Sequence, residues 1–482
     1  MSKSIKKNFL YNFLNNLSTV LFPLITVPYV ARVLDPEGVG LFNFSNTYAG
    51  YFALCALLGI PTYGVREVPK LRGDIVKLTE FVSKMMSISL ITTIGVSLIY
   101  FITISIIDQI NENYILFLVA GFALYFAPFK TDWYYKGLEE FGYITFRSLI
   151  IRFFSIICLF LFVHDKSDIV IYILINVLGS SIADIWNFIK MFMSGVHPYF
   201  TMKGLSPHIK PLLVLLASTV AISVYTVLDT LMLGFMKDYS EVGFYNNASS
   251  MSKIFLMIVT SLSAVSIPRF SFFVNNNEID NANTLFNKSF SFVFFLALPI
   301  SIGVMCVAPI FVPWFLGGKF VGSIVPLMIL AFLIIAIGVS NLAGFQVLIG
   351  MGLETLFLRS LLVGTFSNFI LNVILIPSYG AIGASIASVI AEFSISGAMM
   401  FYIYRYTPLR VSVWNDIIKS LFGAILFFPI AWLLPKGIFV ITYLIVFVLI
   451  SSVIYMLSQK LLQNSTFTMF QETIVSFIKN KR

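Results

Sequence analysis

Apolar residues in this chain do not alternate, and they do not form narrow stripes. They come in runs of about 20, the length that spans a bilayer core at ~1.5 Å per residue. The runs predict fourteen membrane-spanning helices, at 9–33, 41–63, 82–107, 113–130, 141–163, 168–190, 211–235, 244–268, 286–309, 322–350, 355–377, 381–404, 414–434 and 438–458. Most are bounded by Gly, Pro or charged clusters. The narrowest division is near residue 380, where only PSYG separates two spans. The start, MSKSIKKNFLYNF, has a basic segment but no short apolar core with a small-residue cleavage site, so it reads as an uncleaved first span.

One short pattern occurs twice. DPEGVGLFNFSNT at 35–47 joins the first two spans, and KDYSEVGFYNNAS at 237–249 joins spans seven and eight. Aligning Gly40 with Gly243 places the two copies six spans apart. An even offset gives both units the same polarity, as in a parallel repeat about an axis along the membrane normal. The expected fold is therefore all-α and polytopic: two six-helix lobes related by a pseudo-two-fold, plus two C-terminal helices. The expected divisions are a first lobe at 1–192, a cytoplasmic linker at 193–210, a second lobe at 211–404, two added helices at 405–460 and a basic cytoplasmic tail at 461–482.

Composition agrees: 59% of residues are hydrophobic and 11% are charged, with a mean hydropathy of +0.93. No soluble domain of this length needs so much apolar surface. The net charge of +9 is mostly topological. With the N-terminus inside, Lys and Arg gather in the cytoplasmic stretches. The external connections are acidic instead, holding Asp35, Glu37, Asp108, Glu112, Asp165, Asp168, Asp238 and Glu241. Nucleic-acid binding gains no support from that charge. The three cysteines, Cys55, Cys158 and Cys306, are scattered through apolar runs and suggest neither disulfides nor a metal site. No phosphate loop, zinc spacing or nucleophile elbow is present, the three histidines are expected in loops, and Glu139–Glu140 reads as a solvated pair.

Candidate chemistry lies in polar positions inside the spans. Asn8, Asn12, Asn15, Thr19 and Thr26 share one face of the first helix. Span seven has Thr219, Ser223, Thr226 and Thr230 on a face, and span eight has Asn246, Ser250, Lys253 and Thr260. Such stripes either bridge helices or line a wet cavity. Charges within spans need a partner or a purpose. Arg147, ~9 Å deep in span five, matches the depth of Asp184 in span six, which suggests an ion pair. Arg152 is ~16 Å deep with no acid level with it on span five or six, which suggests a ligand. Lys253 and Asp229 could bridge each other. Glu392, midway through span twelve, faces no basic residue at its depth, which suits either ion coupling or a buried structural acid.

ARVLDPEGVGLFNF, YYKGLEEFGYI, LDTLMLG with EVGFYNNAS, and ILIPSYGAIGASIASVIAE, in that order, resemble the polysaccharide transporter family. These are the Wzx-type flippases of O-antigen and capsule repeat units, in the multidrug/oligosaccharidyl-lipid/polysaccharide exporter superfamily. The resemblance implies a two-lobed, non-enzymatic flippase in the bacterial cytoplasmic membrane. It would move undecaprenyl-pyrophosphate-linked oligosaccharide by alternating access, with membrane lipids as surroundings and a polysaccharide polymerase and glycosyltransferases as candidate partners. Arg152, Lys253, Arg147, Arg32, Asn12, Asn15 and Asn246 are the candidate contacts for pyrophosphate and sugar. Asp229 and Glu392 are candidates for coupling to a H⁺ or Na⁺ gradient, with no other cofactor or metal expected. The alternatives are a cation-coupled multidrug exporter on the same fold and a membrane glycosyl polymerase.

Overall fold

The computed structural model describes residues 5–435 and 439–479. The side chains of 5–10, 12–14, 16, 20, 221–222, 224–226, 261–265 and 473–479 lie outside that description. The described backbone is helical almost throughout and contains no strand. Among the described residues nine helices are long and apolar enough to cross a membrane. Two of them, Leu17–Leu57 and Glu354–Tyr406, each hold two expected spans. With the shorter apolar helix Tyr114–Phe129 and the helices Ser206–Met236 and Tyr239–Asn275, every expected span has a helical counterpart. Outward positions are apolar: Ile94, Leu98 and Ile102, spaced four apart, are exposed by 57%, 60% and 56%. Tyr100, between them on another face, is fully buried and donates to the Phe117 carbonyl at 2.6 Å. Apolar outside and packed within is the surface of a helix facing lipid.

Both double helices break at single residues. Asp35 (φ 58°, ψ 175°) interrupts the first and Gly380 (φ 52°, ψ −127°) the second. The left-handed region is open to Gly and tolerated by Asp. The Asp35 carboxylate is held by Lys166. The two glycine-centred segments, expected as connections, turn out to be mostly helix. After Asp35 the chain is helical again through Gly40, and the second copy is helical from Tyr239. Their glycines answer a packing need. A Cβ on Gly40 would lie 1.6 Å from the Tyr239 carbonyl oxygen, and one on Gly243 would lie 2.2 Å from the Pro36 carbonyl oxygen. The two copies of the motif meet backbone to backbone, which a side chain would prevent.

The chain forms two compact units, Met1–Gly243 and Phe244–Arg482. The first unit therefore carries Ser206–Met236 beyond the expected linker. Tyr51 donates to the Ser223 carbonyl at 3.0 Å, and Tyr239 donates to that of Gln109 at 3.0 Å. The irregular part of the linker is shorter than expected, since helix extends to Met193 and resumes at Ser206. It runs along Ile75–Ile106, with the Tyr199 and Thr201 amides donating to the Ser83 and Ser87 hydroxyls. His208, expected in a loop, sits in the first turn of Ser206–Met236 with its Nδ1 2.9 Å from the Tyr63 hydroxyl. Glu139 and Glu140 are not simply solvated either: Glu140 pairs with Lys190 at 2.8 Å, and Glu139 lies 3.9 Å from Arg72. In the second unit Ile279–Leu316 is the central helix, and part of the expected basic tail is the helix Ser465–Lys479.

Candidate functional site

The first unit contains a cavity of about 430 Å³ between its first, Phe141–Phe162 and Ile169–Met193 helices. Ser18, Thr19 and Thr26 face it from the first helix, Ser148, Arg152 and Ser155 from the second, and Asn176, Gly179 and Ser180 from the third. Spacings of one and seven, four and three, and three and one place each set on one helical face. Gly179 allows the close approach: a Cβ there would lie 2.9 Å from the Ser155 hydroxyl.

Among the described residues Arg152 is the only charged side chain lining this cavity. It is the twelfth residue of a 22-residue helix, and so lies near the middle of the span. Its Nη1 donates to the Asn15 carbonyl at 3.3 Å and to the Ser18 hydroxyl. Both acceptors are neutral, and no ion pair involves Arg152 among the described residues. Its other guanidinium donors are bonded to no described group, and the side chain is only half-buried. The Asn15 side-chain oxygen is buried without a hydrogen-bond partner. Arg152 thus lines the cavity, and Asn15 reaches Arg152 through its backbone carbonyl. Thr19 lines the cavity as the first-span stripe suggested, whereas Thr26, also in the wall, donates to its own helix at Phe22. The Asn12 side chain lies outside the described residues.

Arg147 is a correction. The expected pair with Asp184 is absent; Arg147 Nη1 instead donates to Asp132 Oδ1 at 2.9 Å and to Asn187 Oδ1. The Asn187 amide donates to the same Asp132 oxygen at 2.7 Å, closing a three-residue network. Arg147 is 3% exposed, and its charge is consumed inside the protein. Around it Tyr143 donates to Asn187 at 3.1 Å, and Lys190 lies 3.4 Å from the centre of the Tyr143 ring. Depth along a helix could not reveal this partner, because Asp132 belongs to the short helix Asp132–Gly137 between spans. Asn187 was more accessible to reasoning, lying one turn from Asp184 on the same face.

Other expected residues are dispersed. Arg32 is exposed beside the Asp35 break, and Asp229 is buried next to Thr230 in Ser206–Met236. In the second unit Asn246 is half-buried and Lys253 exposed on Tyr239–Asn275. Glu392 is 8% exposed, and its Oε2 is buried with no hydrogen-bond partner. On its own helical face Ser388 meets the Tyr245 hydroxyl at 3.0 Å and Ser396 donates to the Ala336 carbonyl at 2.7 Å. The second unit also has an apolar groove of about 480 Å³, with Phe255, Pro299, Gly303, Phe427, Phe447 and Val448 in its wall. Among the described residues no group of His, Cys, Asp and Glu is arranged to hold a metal ion.

Sequence reasoning missed Ser18, Ser148, Ser155, Asn176 and Ser180. The signal was present, since Ser148–Arg152–Ser155 and Asn176–Ser180 repeat at helical spacing, but each lies among large apolar neighbours that dominate the run.

Comparison with known proteins gives these features a family. A family described as "Polysaccharide biosynthesis protein" matches residues 5–274. The chain is 24% identical over 403 residues to a protein of Escherichia coli (strain K12) named "Putative O-antigen transporter", covering 83% of this chain and 97% of that one. It is 22% identical over 432 residues to the "Probable low-salt glycan biosynthesis flippase Agl15" of Haloferax volcanii, covering 86% and 88%. Among solved structures it is similar to the lipid II flippase MurJ in an inward closed conformation. That match has a TM-score of 0.72 and 17% identity, over 94% of this chain and 98% of the other. An inward-facing multidrug transporter of the MATE family and MOP superfamily follows at a TM-score of 0.57 and 13% identity, over 80% and 94%. The fold is that of these transporters, and with more than half of its length matched by one family, this multi-pass membrane protein belongs to the polysaccharide biosynthesis protein family.

Proposed function

We propose that the protein is a flippase for a polyprenyl-pyrophosphate-linked oligosaccharide, undecaprenyl in bacteria, working by alternating access and without covalent chemistry. It would act in the cytoplasmic membrane for surface polysaccharide assembly, alongside a polymerase and glycosyltransferases. The observation that carries the reading is Arg152, a mid-span guanidinium with neutral partners, open to a cavity where hydroxyls and the Asn176 amide stand among apolar residues. Pyrophosphate offers the missing counter-charge, and charge-assisted hydrogen bonds of ~1.5–3 kcal/mol each would hold it. Ser, Thr and Asn around it match sugar hydroxyls. Membership of the family and the names of the two relatives support the same reading. A drug cation would want carboxylates, and the described wall of the Arg152 cavity has none. Asp229 and Glu392 remain the proposed acids for coupling to a H⁺ or Na⁺ gradient.

The test is transport of a defined lipid-linked oligosaccharide in proteoliposomes. Arg152→Ala should lower the flipping rate by roughly a hundredfold to ten-thousandfold, the loss of two such bonds, with normal membrane insertion. Arg152→Lys should restore part of it, because charge survives while the planar fork does not. Normal flipping by Arg152→Ala would overturn the assignment.

A further inference from the structure

Asp184 has been left over by the pairing of Arg147 with Asp132. It is 8% exposed in the middle of Ile169–Met193, and among the described residues it makes no ion pair and no hydrogen bond. Ser180, Ala183, Asp184 and Asn187 fall at intervals of three, one and three, on one helical face. Ser180 and Ala183 line the Arg152 cavity, whereas Asn187 belongs to the Arg147 network. Asp184 therefore stands on the helix between the two, beside the cavity residue Ala183 and one turn from Ser180.

The charged groups facing it are few. Lys130 and Asp132 approach from the connection 130–137, and Arg147 from Phe141–Phe162; Arg152 lies across the cavity. The helices Tyr114–Ala120 and Phe122–Tyr125, which also pack here, carry no charge. On the first helix the described charges, Arg32, Asp35 and Glu37, sit near Lys166, at the opposite end of the Asp184 helix. Arg147, the nearest cation by chain depth, is already neutralised by Asp132.

We propose that Asp184 is a proton-binding site coupled to the cavity, so that an anion bound at Arg152 and a proton bound at Asp184 favour each other. This rests on the reading of Arg152 as an anion site. The step is a simple protonation, with a proton from water taken by a carboxylate oxygen and no other bond changed. An ionised Asp184 opposes an incoming anion; a protonated one does not. Coupling of this kind is reciprocal, so the anion must raise proton occupancy as much as the proton raises anion affinity. A unit charge and a dianion ~10 Å apart at an effective dielectric of ~20 correspond to a roughly 250-fold change in affinity.

The experiment uses the full-length protein in detergent with inorganic sulfate, which stays a dianion throughout. Titration calorimetry between pH ~5.5 and ~8, in buffers of different ionisation heat, measures affinity and proton uptake together. Wild type should bind up to roughly 250-fold tighter at the acid end and take up a proton on binding. Asp184→Asn should bind at the acid-end affinity at every pH without proton uptake, and Asp184→Glu should keep both the slope and the uptake. Proton uptake that persists in Asp184→Asn, or a wild-type affinity independent of pH, would overturn the proposal. Sulfate binding by Arg152→Ala as tight as by wild type would instead overturn the anion site beneath it.

Discussion

Removing either end of the Arg147–Asp132 pair should not cost the same. The Arg147 side chain is 4% exposed and that of Asp132 is 38% exposed. Truncating the carboxylate in Asp132→Ala strands a guanidinium with no route to water, the situation that costs ~3–5 kcal/mol in buried pairs. Replacing the cation in Arg147→Met keeps most of the stem's packing and leaves a carboxylate that water and the Asn187 amide still reach. That loss should be about 1–2 kcal/mol, within the range of a charged hydrogen bond. The double variant should then be less destabilised than the sum of the two, by about 1–2 kcal/mol, because it leaves no stranded charge. Thermal unfolding of the detergent-solubilised protein, followed by loss of its monodisperse peak, gives the ranking. The pH dependence has a definite sign. Burial works to raise the Asp132 carboxyl, but the Arg147 charge and the bonds from Arg147 and Asn187 outweigh it, holding it below the usual carboxylate value. A depressed folded value means that the stabilisation is fully present above the unfolded value of ~3.9 and is lost as pH falls through the folded one. The Asp132→Ala penalty should stay constant from pH ~8 to ~5 and shrink only in stronger acid. A larger loss in Arg147→Met than in Asp132→Ala, or strict additivity, would refute the argument.

Three further outcomes are expected. Gly40→Ala and Gly243→Ala should each destabilise the first unit by about 1–3 kcal/mol through overpacking. Gly50→Ala, on the same helix as Gly40 with nothing within 4 Å of the added carbon, should gain a few tenths to ~1 kcal/mol; equal effects at all three positions in a thermal melt would count against the packing account. Cysteine labelling should place the N-terminus, the 64–81 segment, the 190–210 linker and the C-terminus in the cytoplasm, and labelling of residue 200 from outside would reject that topology. Glu392→Gln should reduce the dependence of transport on pH or sodium by more than it reduces substrate binding, and an unchanged ion dependence would return this residue to a structural role.

The spans were legible because bilayer thickness and helical rise fix the length of every apolar run, so existence and order could be read directly. The break at Gly380 was legible for the same reason: PSYG is too short for a loop, yet the run is too long for one crossing. Where two helices touch was not legible. The repeated glycines declared that one local arrangement occurs twice, but the contact between Gly40 and Gly243 depends on tertiary packing that no local pattern encodes. The Arg147 partner escaped for a related reason. Depth is readable only along regular helices, and Asp132 lies in a connection whose height nothing in the spacing defines. Arg152 was legible because its argument ran through depth alone, in the middle of an uninterrupted helix.

Arg147 and Arg152 lie five residues apart on one helix, and the chain treats them differently. Arg147 receives a carboxylate and an amide, is closed off from solvent and has its charge cancelled. Arg152 receives a hydroxyl and a backbone carbonyl, which satisfy one nitrogen but cancel nothing, and it faces a cavity of about 430 Å³. If both arginines only joined helices, both should carry an acid, since an uncompensated charge at mid-span costs several kcal/mol. The same helix shows that this fold can supply one. Withholding it from the deeper arginine leaves a positive potential where water is scarce and hydroxyls are many. A ligand with a compact anion and a polar body would resolve that imbalance. The asymmetry between these two residues, more than the presence of either, is what supports the proposed anionic cargo.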